Sequence, residues 1–428
     1  MYEAQNHAAR TLAQVLSGKS LNAALQAVWL QHTGLTAHDR ASIQNVCYGA
    51  LRHYGQLDAV LALLLDRPVP DAALRCLLIA ALFQLEYTRA APHAVVDQAV
   101  MACVPLGVRA AQGMVNAVLR NFLRRRAALL ELAASNEVGR YSHPQWWIDR
   151  LKRQYPEQYA AILAAGNSHP PMCLRINRRR TNRAEYLAAL AQKEIAARAI
   201  GSEGVLLEKP TAVDALPGFR DGLASVQDAG AQLAAHALDI CDRQTRDRQT
   251  VLDACAAPGG KSAHLLELAD IELTALDSDA GRLRRVHENL DRLGFAANVV
   301  CADAQNVDAW WDGRAFDRIL ADVPCSASGV VRRHPDAKWL RREADIAQFS
   351  ERQARLLDAL WRTLATDGKL LYATCSVFDD ENQRQIAGLL DRHPDARRLP
   401  LDLPQNHDGQ LLPNAQHDGF YYALLQKR

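Results

Sequence analysis

The sequence predicts a multidomain chain: an all-α N-terminal domain over 1–140, a small α+β module over 141–232, and an α/β, Rossmann-like domain over 233–428. Three observations predict this. The 428 residues exceed what one hydrophobic core normally serves. From the N-terminus to about 140, apolar residues recur at three- and four-residue spacing with no convincing alternation. From about 235, short apolar, β-rich runs alternate with amphipathic segments, the pattern of a parallel, doubly wound sheet.

In the first domain, Ala41-Ser42-Ile43-Gln44-Asn45-Val46-Cys47-Tyr48-Gly49-Ala50-Leu51 and the run from Ala90 to Val100 have helical periodicity, and Pro68, Pro70, Pro92 and Pro105 mark breaks. In the second, Ser142-His143-Pro144 opens a further helical stretch and Asn167-Ser168-His169-Pro170-Pro171 ends it. Met172-Cys173-Leu174-Arg175-Ile176-Asn177 is a strand, Thr181 is placed to cap the next helix, and Gly204-Val205-Leu206-Leu207-Glu208 is another strand. In the third, strands are expected at Thr250-Val251-Leu252-Asp253, Glu272-Leu273-Thr274-Ala275-Leu276, Asn298-Val299-Val300-Cys301, Arg318-Ile319-Leu320-Ala321, Lys369-Leu370-Leu371-Tyr372-Ala373 and Phe420-Tyr421-Tyr422-Ala423-Leu424-Leu425.

Nine cysteines are scattered singly, with no C-x-x-C pair and no Cys/His cluster at zinc spacing, so neither a disulfide framework nor a structural metal is expected. No signal peptide opens the chain and no apolar run reaches the ~18 residues of a membrane span. A cytoplasmic monomer with no membrane attachment is expected. The net charge of +2 is uninformative, but its distribution is not. Arg120, Arg124, Arg125 and Arg126 form one basic run; Arg332, Arg333, Lys338, Arg341 and Arg342, with Trp339 among them, form a second just after Cys325. Basic residues with an interleaved aromatic suit a phosphate backbone and a stacking base, so both runs are candidate RNA contacts.

The chemistry is concentrated at strand ends. Asp322-Val323-Pro324-Cys325-Ser326 and Thr374-Cys375-Ser376 each follow an apolar run, and ligands bind at the carboxyl edge of open α/β sheets. Two thiols and a carboxylate at that edge suggest covalent chemistry, although a free cysteine is more often a small buried hydrophobe. Beside them, Asp253-Ala254-Cys255-Ala256-Ala257-Pro258-Gly259-Gly260-Lys261-Ser262 forms a strand-to-helix turn whose small residues let backbone approach a ligand. Asp277 closes the second strand, where a carboxylate accepts the ribose hydroxyls of an adenosine cofactor, and Asp303 and Asp322 follow the third and fourth.

Three cofactor classes compete for this turn. G-x-G-x-x-G is absent, which counts against a dinucleotide. Gly260-Lys261-Ser262 imitates the end of a P-loop, but Cys255 stands where its first glycine belongs and Pro258 offers no N–H to a phosphate. S-adenosylmethionine, which needs ribose and adenine contacts but no phosphate cradle, fits best. Cys255 and Cys301 are otherwise assigned to packing.

The segments Asp253 to Lys261, Asp322 to Gly329 and Ala373-Thr374-Cys375-Ser376 resemble those of the RNA 5-methylcytosine methyltransferases of the RsmB/NOP (Sun/Nop) family. Leu174-Arg175-Ile176-Asn177 and Val226-Gln227-Asp228-Ala229 resemble segments preceding the catalytic domain in that family, and the first domain is NusB-like. The resemblance covers essentially the whole chain. Val323 departs from the alanine common there, while the carboxylate, proline and thiol remain.

The resemblance implies an S-adenosylmethionine-dependent class I methyltransferase acting on cytosine C5 of 16S ribosomal RNA; flipping a cytosine from a stem costs a few kcal/mol, so free or partly assembled rRNA is the expected substrate. Cytosine C5 is a poor nucleophile, and a thiolate adding at C6 turns it into an enamine-like carbon. Asp322 is placed to assist at N3 and the exocyclic amine, and a base must later remove the C5 proton. The chemistry alone leaves the two thiols interchangeable; the resemblance implies that Cys375 attacks and Cys325 assists release. It further implies that Asp277 holds the ribose, Asp303 the adenine amine, and Ala254, Cys255, Ala256, Ala257, Pro258, Gly259 and Gly260, with Asp322, the rest of the cofactor. Lys261 is a cation for the site or a solvent-facing helix start. Two rival functions remain open: a P-loop-type NTPase acting on RNA, and a non-catalytic RNA-binding factor.

Overall fold

Short polar residues start the helices of the N-terminal region by accepting from otherwise unpaired backbone N–H groups. Ser20 accepts from Ala23, Asp71 from Leu74 and Asn136 from Gly139, while Thr36 and Asp39 form a reciprocal capping box. The computed structural model describes residues 2–241, 248–404 and 408–428. Its first helices are α1 (Tyr2–Leu16), α2 (Leu21–Gln31), α3 (Ala37–Arg52), α4 (Tyr54–Leu64), α5 (Ala72–Tyr87), α6 (Pro92–Ala102), α7 (Gln112–Ala133), α8 (Glu137–Tyr141), α9 (Gln145–Gln154) and α10 (Tyr159–Gly166). Then come β1 (Met172–Ile176), α11 (Arg183–Gln192), β2 (Ala197–Ile200), β3 (Gly204–Leu207), β4 (Ala224–Val226) and α12 (Ala229–Ala237). The remainder is β5 (Gln249–Asp253), α13 (Gly260–Leu268), β6 (Ile271–Asp277), α14 (Ala280–Leu293), β7 (Asn298–Cys301), β8 (Phe316–Asp322), α15 (Ala337–Leu340), α16 (Glu343–Thr363), β9 (Leu364–Thr374), α17 (Gln383–Arg392), β10 (Ala396–Leu399), β11 (Gln410–Leu411) and β12 (Phe420–Lys427).

These elements form two compact units. One comprises Met1–His169 with Val331–Glu343; the other comprises Pro170–Val330 with Ala344–Arg428. The helices of 145–166 therefore group with the N-terminal helices, and so does a segment inserted between β8 and α16.

The helical unit packs its apolar stripes around Leu12, Val46, Leu51, Leu78, Leu82, Val115, Leu119 and Phe122. Each such side chain contributes roughly 1.5–3 kcal/mol by leaving water. Gly49 is required by this packing, because a Cβ there would lie 1.9 Å from the Phe83 ring.

The inserted segment corrects an expectation. Lys338 is fully buried, and its Nζ donates to Arg52 O at 2.7 Å, Ser142 O at 2.8 Å and Asn167 Oδ1 at 2.8 Å; burial and then the charge of Arg52 push its pKa well down, and these three acceptors oppose that shift. Arg332 is 2% exposed, and Trp339 donates Nε1–H to Leu51 O at 2.8 Å with its ring edge-on to Tyr54. Lys338 and Arg332 therefore do not present their charges to RNA, and Trp339 is not an open stacking platform. Spacing showed a basic run but not that an ammonium with three carbonyl-type acceptors fits inside a helical core. Arg342 is exposed, and Arg333 and Arg341 are half-buried.

The second unit holds two sheets. The smaller is antiparallel, ordered β2-β3-β1-β4, with α11 over a core of Leu174, Ile176, Tyr186, Leu190 and Val205. Asn182, not Thr181, caps α11, because its side chain accepts from Glu185 N at 3.0 Å. The larger has the order β10-β12-β9-β8-β5-β6-β7, with β11 on β12. β7, β6, β5, β8 and β9 run parallel, as expected, but β12 is antiparallel to β9 and β10 to β12. Apolar composition marks a buried strand without fixing its direction. β2, β4, β10 and β11, two to four residues each, had been missed, being too short for a periodic signal. No described helix is long and apolar enough to cross a membrane.

Candidate active site and cofactor pocket

Parallel pairing brings the predicted strand ends to one edge. Asp253 is in register with Ala275 and Leu320, Asp277 with Cys301, and Asp322 with Ala373. Cys325 and Cys375 follow the ends of the adjacent strands β8 and β9, and their Sγ atoms are 3.3 Å apart. Both are free thiols. A cavity of about 210 Å³ at this edge is lined by Ala254, Cys255, Ala257, Asp277, Asp303, Asp322, Cys325 and Cys375, and also by Ser278, Arg282 and Arg352.

The turn after β5 has the shape a ligand requires. Gly259 has φ +94° and caps α13 without a side chain, and a Cβ there would crowd Val286 Cα at 3.1 Å. Asp277 is 4% exposed and stiffens the turn: its Oδ2 accepts from Ala257 N at 3.1 Å and its Oδ1 from Asp279 N at 3.0 Å. Each oxygen keeps a second lone pair for a ligand hydroxyl. Asp303 is exposed, with Oδ1 accepting from Gln305 N at 3.0 Å. Ala256, Pro258, Gly259 and Gly260 shape the turn but do not line the cavity.

Below the turn, Asp253 is buried and accepts from Ser262 Oγ at 2.6 Å. Burial, incompletely offset by that hydroxyl, pushes its carboxyl up to about 7. Lys261 does not face solvent: its Nζ donates to Asp322 Oδ2 at 2.6 Å and its side chain is 14% exposed. Burial favours the neutral amine, but the ion pair with Asp322 outweighs it and the net shift is upward. Cys325 is pushed well up by its contact with Cys375, then by burial, with the charge of Glu381 contributing. Cys255 is raised by burial, lines the cavity and also packs against the core. Cys301, assigned to packing above, is exposed; it ends β7, the edge strand of the sheet.

Two groups had escaped notice. Arg175 of β1 is buried and bidentate on Glu267 of α13, with Nε–Oε2 at 2.8 Å and Nη2–Oε1 at 2.7 Å. It also donates to Gly260 O at 2.7 Å, so the small sheet anchors the cofactor turn. Glu381, buried in the turn Asp379–Glu381, bonds the serines that follow both cysteines. The arginine stood in a recognised segment, but nothing in the spacing pointed to Glu381.

Comparison with known proteins decides the family. The chain is 44% identical over 428 residues to the ribosomal RNA small subunit methyltransferase B of Vibrio cholerae serotype O1, covering 98% of this chain and 96% of that protein. The chain belongs to the RsmB/F family of 16S rRNA methyltransferases. The family model for 16S rRNA methyltransferase RsmB/F matches residues 242–426, the RsmF/B-like ferredoxin-like domain 143–214 and the NusB family 2–124. The Pseudomonas putida protein of the same name is 46% identical over 98% of this chain and 97% of its own. Among solved structures, a methyltransferase homolog from Pyrococcus horikoshii matches with TM-score 0.60 and 27% identity over 68% of this chain and 97% of that one. As in other RsmB/F methyltransferases, the cofactor is S-adenosylmethionine, and the acidic strand ends with the glycine turn suit its ribose, adenine and methionine parts.

Proposed function

We propose that this chain methylates C5 of a cytosine in 16S rRNA through a covalent bond from Cys375 to C6. The observation that carries the reading is the pair of thiols 3.3 Å apart, in the same cavity as Asp277, Asp303 and Asp322. When bound, S-adenosylmethionine supplies an electrophilic methyl group. The residues of the chain do the rest. Asp277 holds ribose hydroxyls, Asp303 lies by the adenine amine, and the turn from Ala254 to Gly260 cradles the methionine. Cys375, as thiolate, adds to C6; N3 takes a proton from solvent as negative charge develops on the ring, and Asp322, oriented by Lys261, accepts from the N3–H and from the exocyclic amine. After methylation, Cys325 assists removal of the C5 proton, and the C6–S bond breaks to return the Cys375 thiolate.

The target base must leave its stack, at a cost of a few kcal/mol that free or partly assembled rRNA reduces. The exposed Arg120, Arg124 and Arg125, and Arg126 beside Glu86, form the basic surface proposed for the RNA backbone, with Arg342, Arg333 and Arg341 as secondary candidates. Labelled methyl transfer to 16S rRNA tests the reading. Cys375→Ala is expected to give neither product nor adduct, and Cys325→Ala to trap a protein–RNA adduct. The opposite pattern would exchange the two roles.

A further inference from the structure

Each cysteine is followed by a serine, and both serines bond one carboxylate. Glu381 is fully buried. Its Oε2 accepts from Ser326 Oγ at 2.5 Å and Ser376 Oγ at 2.6 Å; its Oε1 accepts from Ser326 N at 2.7 Å and Gln353 Nε2 at 3.3 Å. Burial pushes the Glu381 carboxyl up, and the bonds from Ser326, Ser376 and Gln353 counter that shift; the four donors fill the lone pairs of a carboxylate, which when ionised accepts but does not donate. Burying such a charge costs several kcal/mol unless it is hydrogen-bonded in this way.

The network continues on both sides. Ser328 and Ser376 share a hydroxyl contact at 2.9 Å, and Ser328 Oγ also accepts from Val377 N at 2.9 Å. Asn382, next in sequence, accepts from Thr374 Oγ1 at 2.6 Å and donates to Ser376 O at 2.9 Å. Thr374 and Ser376, the two neighbours of Cys375, are thus each held by the Glu381-Asn382 pair, and Ser326 is held by Glu381 as well. Beyond the register pair Asp322–Ala373 the two loops are tied by backbone bonds from Val323 N to Ala373 O at 3.0 Å and from Gly329 N to Cys375 O at 2.8 Å, and the side-chain bonds to Glu381 and Asn382 add the restraint on the residues flanking the thiols.

The surrounding charges are also unequal. Lys261 interacts electrostatically with Cys375, whereas the Glu381 carboxylate opposes ionisation of Cys325.

We propose that Glu381 is a positioning residue that, by holding Ser326 and Ser376 on one carboxylate, fixes the two thiols at contact distance with Cys325 as the hydrogen-bond donor of the pair. Cys325 Sγ–H donates to the Cys375 sulfur across this contact until that sulfur bonds C6; Cys325 then loses its proton to solvent through the open cavity and can take the one that leaves C5. The consequence for catalysis rests on the cytosine-C5 reading; the ordering of the thiols does not.

The test uses the full-length protein with Glu381→Gln and Glu381→Asp. Iodoacetamide labelling of each cysteine across pH, read by peptide mass spectrometry without RNA, reports the ordering; methyl transfer to 16S rRNA transcript reports its consequence. In the wild type Cys375 is expected to label well ahead of Cys325. Glu381→Gln removes the anion, so Cys325 labelling rises toward that of Cys375, and the alkaline-rising limb of the methyl-transfer profile moves to lower pH by about one unit. Its rate falls roughly 10- to 100-fold while S-adenosylmethionine affinity stays within about two-fold. Glu381→Asp keeps the charge but not the reach: the limb stays in place and the rate still falls.

A Glu381→Gln protein with wild-type labelling order and pH limb would overturn the proposal. Should that variant not fold, Ser376→Ala takes its place. It removes one hydroxyl from the carboxylate and is expected to lower transfer about ten-fold; unchanged transfer would overturn the proposal equally. A wild type that labels Cys375 first but makes no 5-methylcytosine overturns the functional reading and leaves the role of Glu381 intact.

Discussion

Lys261 Nζ lies 2.6 Å from Asp322 Oδ2, so the second residue of the helix that follows the glycine turn forms an ion pair with the carboxylate of the Asp-Val-Pro-Cys segment. One residue thereby joins the two halves of the site. Lys261→Met would leave Asp322 without its cation and free to rotate away from the base. Methyl transfer and adduct formation are expected to fall about 100-fold, the scale of a misplaced acid–base group. S-adenosylmethionine affinity should change less than five-fold, and single-turnover kinetics beside calorimetric titration separate the two effects. Equal losses in both would show that Lys261 serves the cofactor instead.

Asp277 is the residue proposed to hold the cofactor ribose. Asp277→Asn keeps one acceptor for the backbone but loses the charge and one oxygen. A hydrogen bond to a charged group is worth about 1.5–3 kcal/mol, so the dissociation constant for S-adenosylmethionine should rise about 10- to 100-fold. The Cys375-before-Cys325 labelling order should be unchanged, because neither thiol bonds to Asp277. An unchanged dissociation constant would remove Asp277 from the binding set.

Lys338 gives a prediction about stability. Its three N–H groups all have acceptors inside the helical unit. Lys338→Met fills similar volume but leaves three buried oxygens unpaired, and a loss of about 3 kcal/mol is expected in denaturant unfolding of the full chain. A solvated RNA-binding lysine would instead cost almost nothing on replacement, and RNA affinity would weaken with folding intact.

That contrast shows what the sequence could convey. Strand-end chemistry was legible because it rests on order along the chain: Asp253, Asp277, Asp303, Asp322, Cys325 and Cys375 each follow a β-rich run, and parallel pairing forces such ends to one edge. The three fold classes were legible for the same reason, since periodicity is local. Lys338 was misread because its burial depends on acceptors 171 to 286 residues away. Glu381 was overlooked because its four donors come from three separate segments. The antiparallel direction of β12 was hidden too, because an apolar strand has the same composition in either sense.

The exposed arginines of α7 give a test of RNA binding. Arg124→Ala and Arg125→Ala should each weaken binding of 16S rRNA transcript and reduce the slope of log affinity against log salt by about one. Neither should alter S-adenosylmethionine affinity. Slopes equal to the wild type would exclude this face from the phosphate contacts.

His264 makes stability depend on pH. The ring is 1% exposed on α13, and neither nitrogen has a hydrogen-bond partner. Burial first, then Arg175, His236 and Arg178, hold it well below the usual imidazole range. The folded state therefore refuses a proton that the unfolded chain accepts near pH 6.5. Stability from this group is complete above pH 6.5 and is lost below it, at about 1.4 kcal/mol per pH unit until the folded state titrates. His143, also buried and bonded through Nδ1 to Tyr141 O at 2.6 Å, adds a loss of the same sign. His264→Leu removes one of the two. Its stability should match or exceed wild type at pH 8, since two unpaired buried nitrogens disappear. Between pH 6.5 and 5 its curve should fall less steeply by about 1.4 kcal/mol per unit. Denaturant midpoints at pH 5, 6, 7 and 8 measure the difference, and parallel curves would mean that His264 takes a proton as readily in the folded protein as in the unfolded chain.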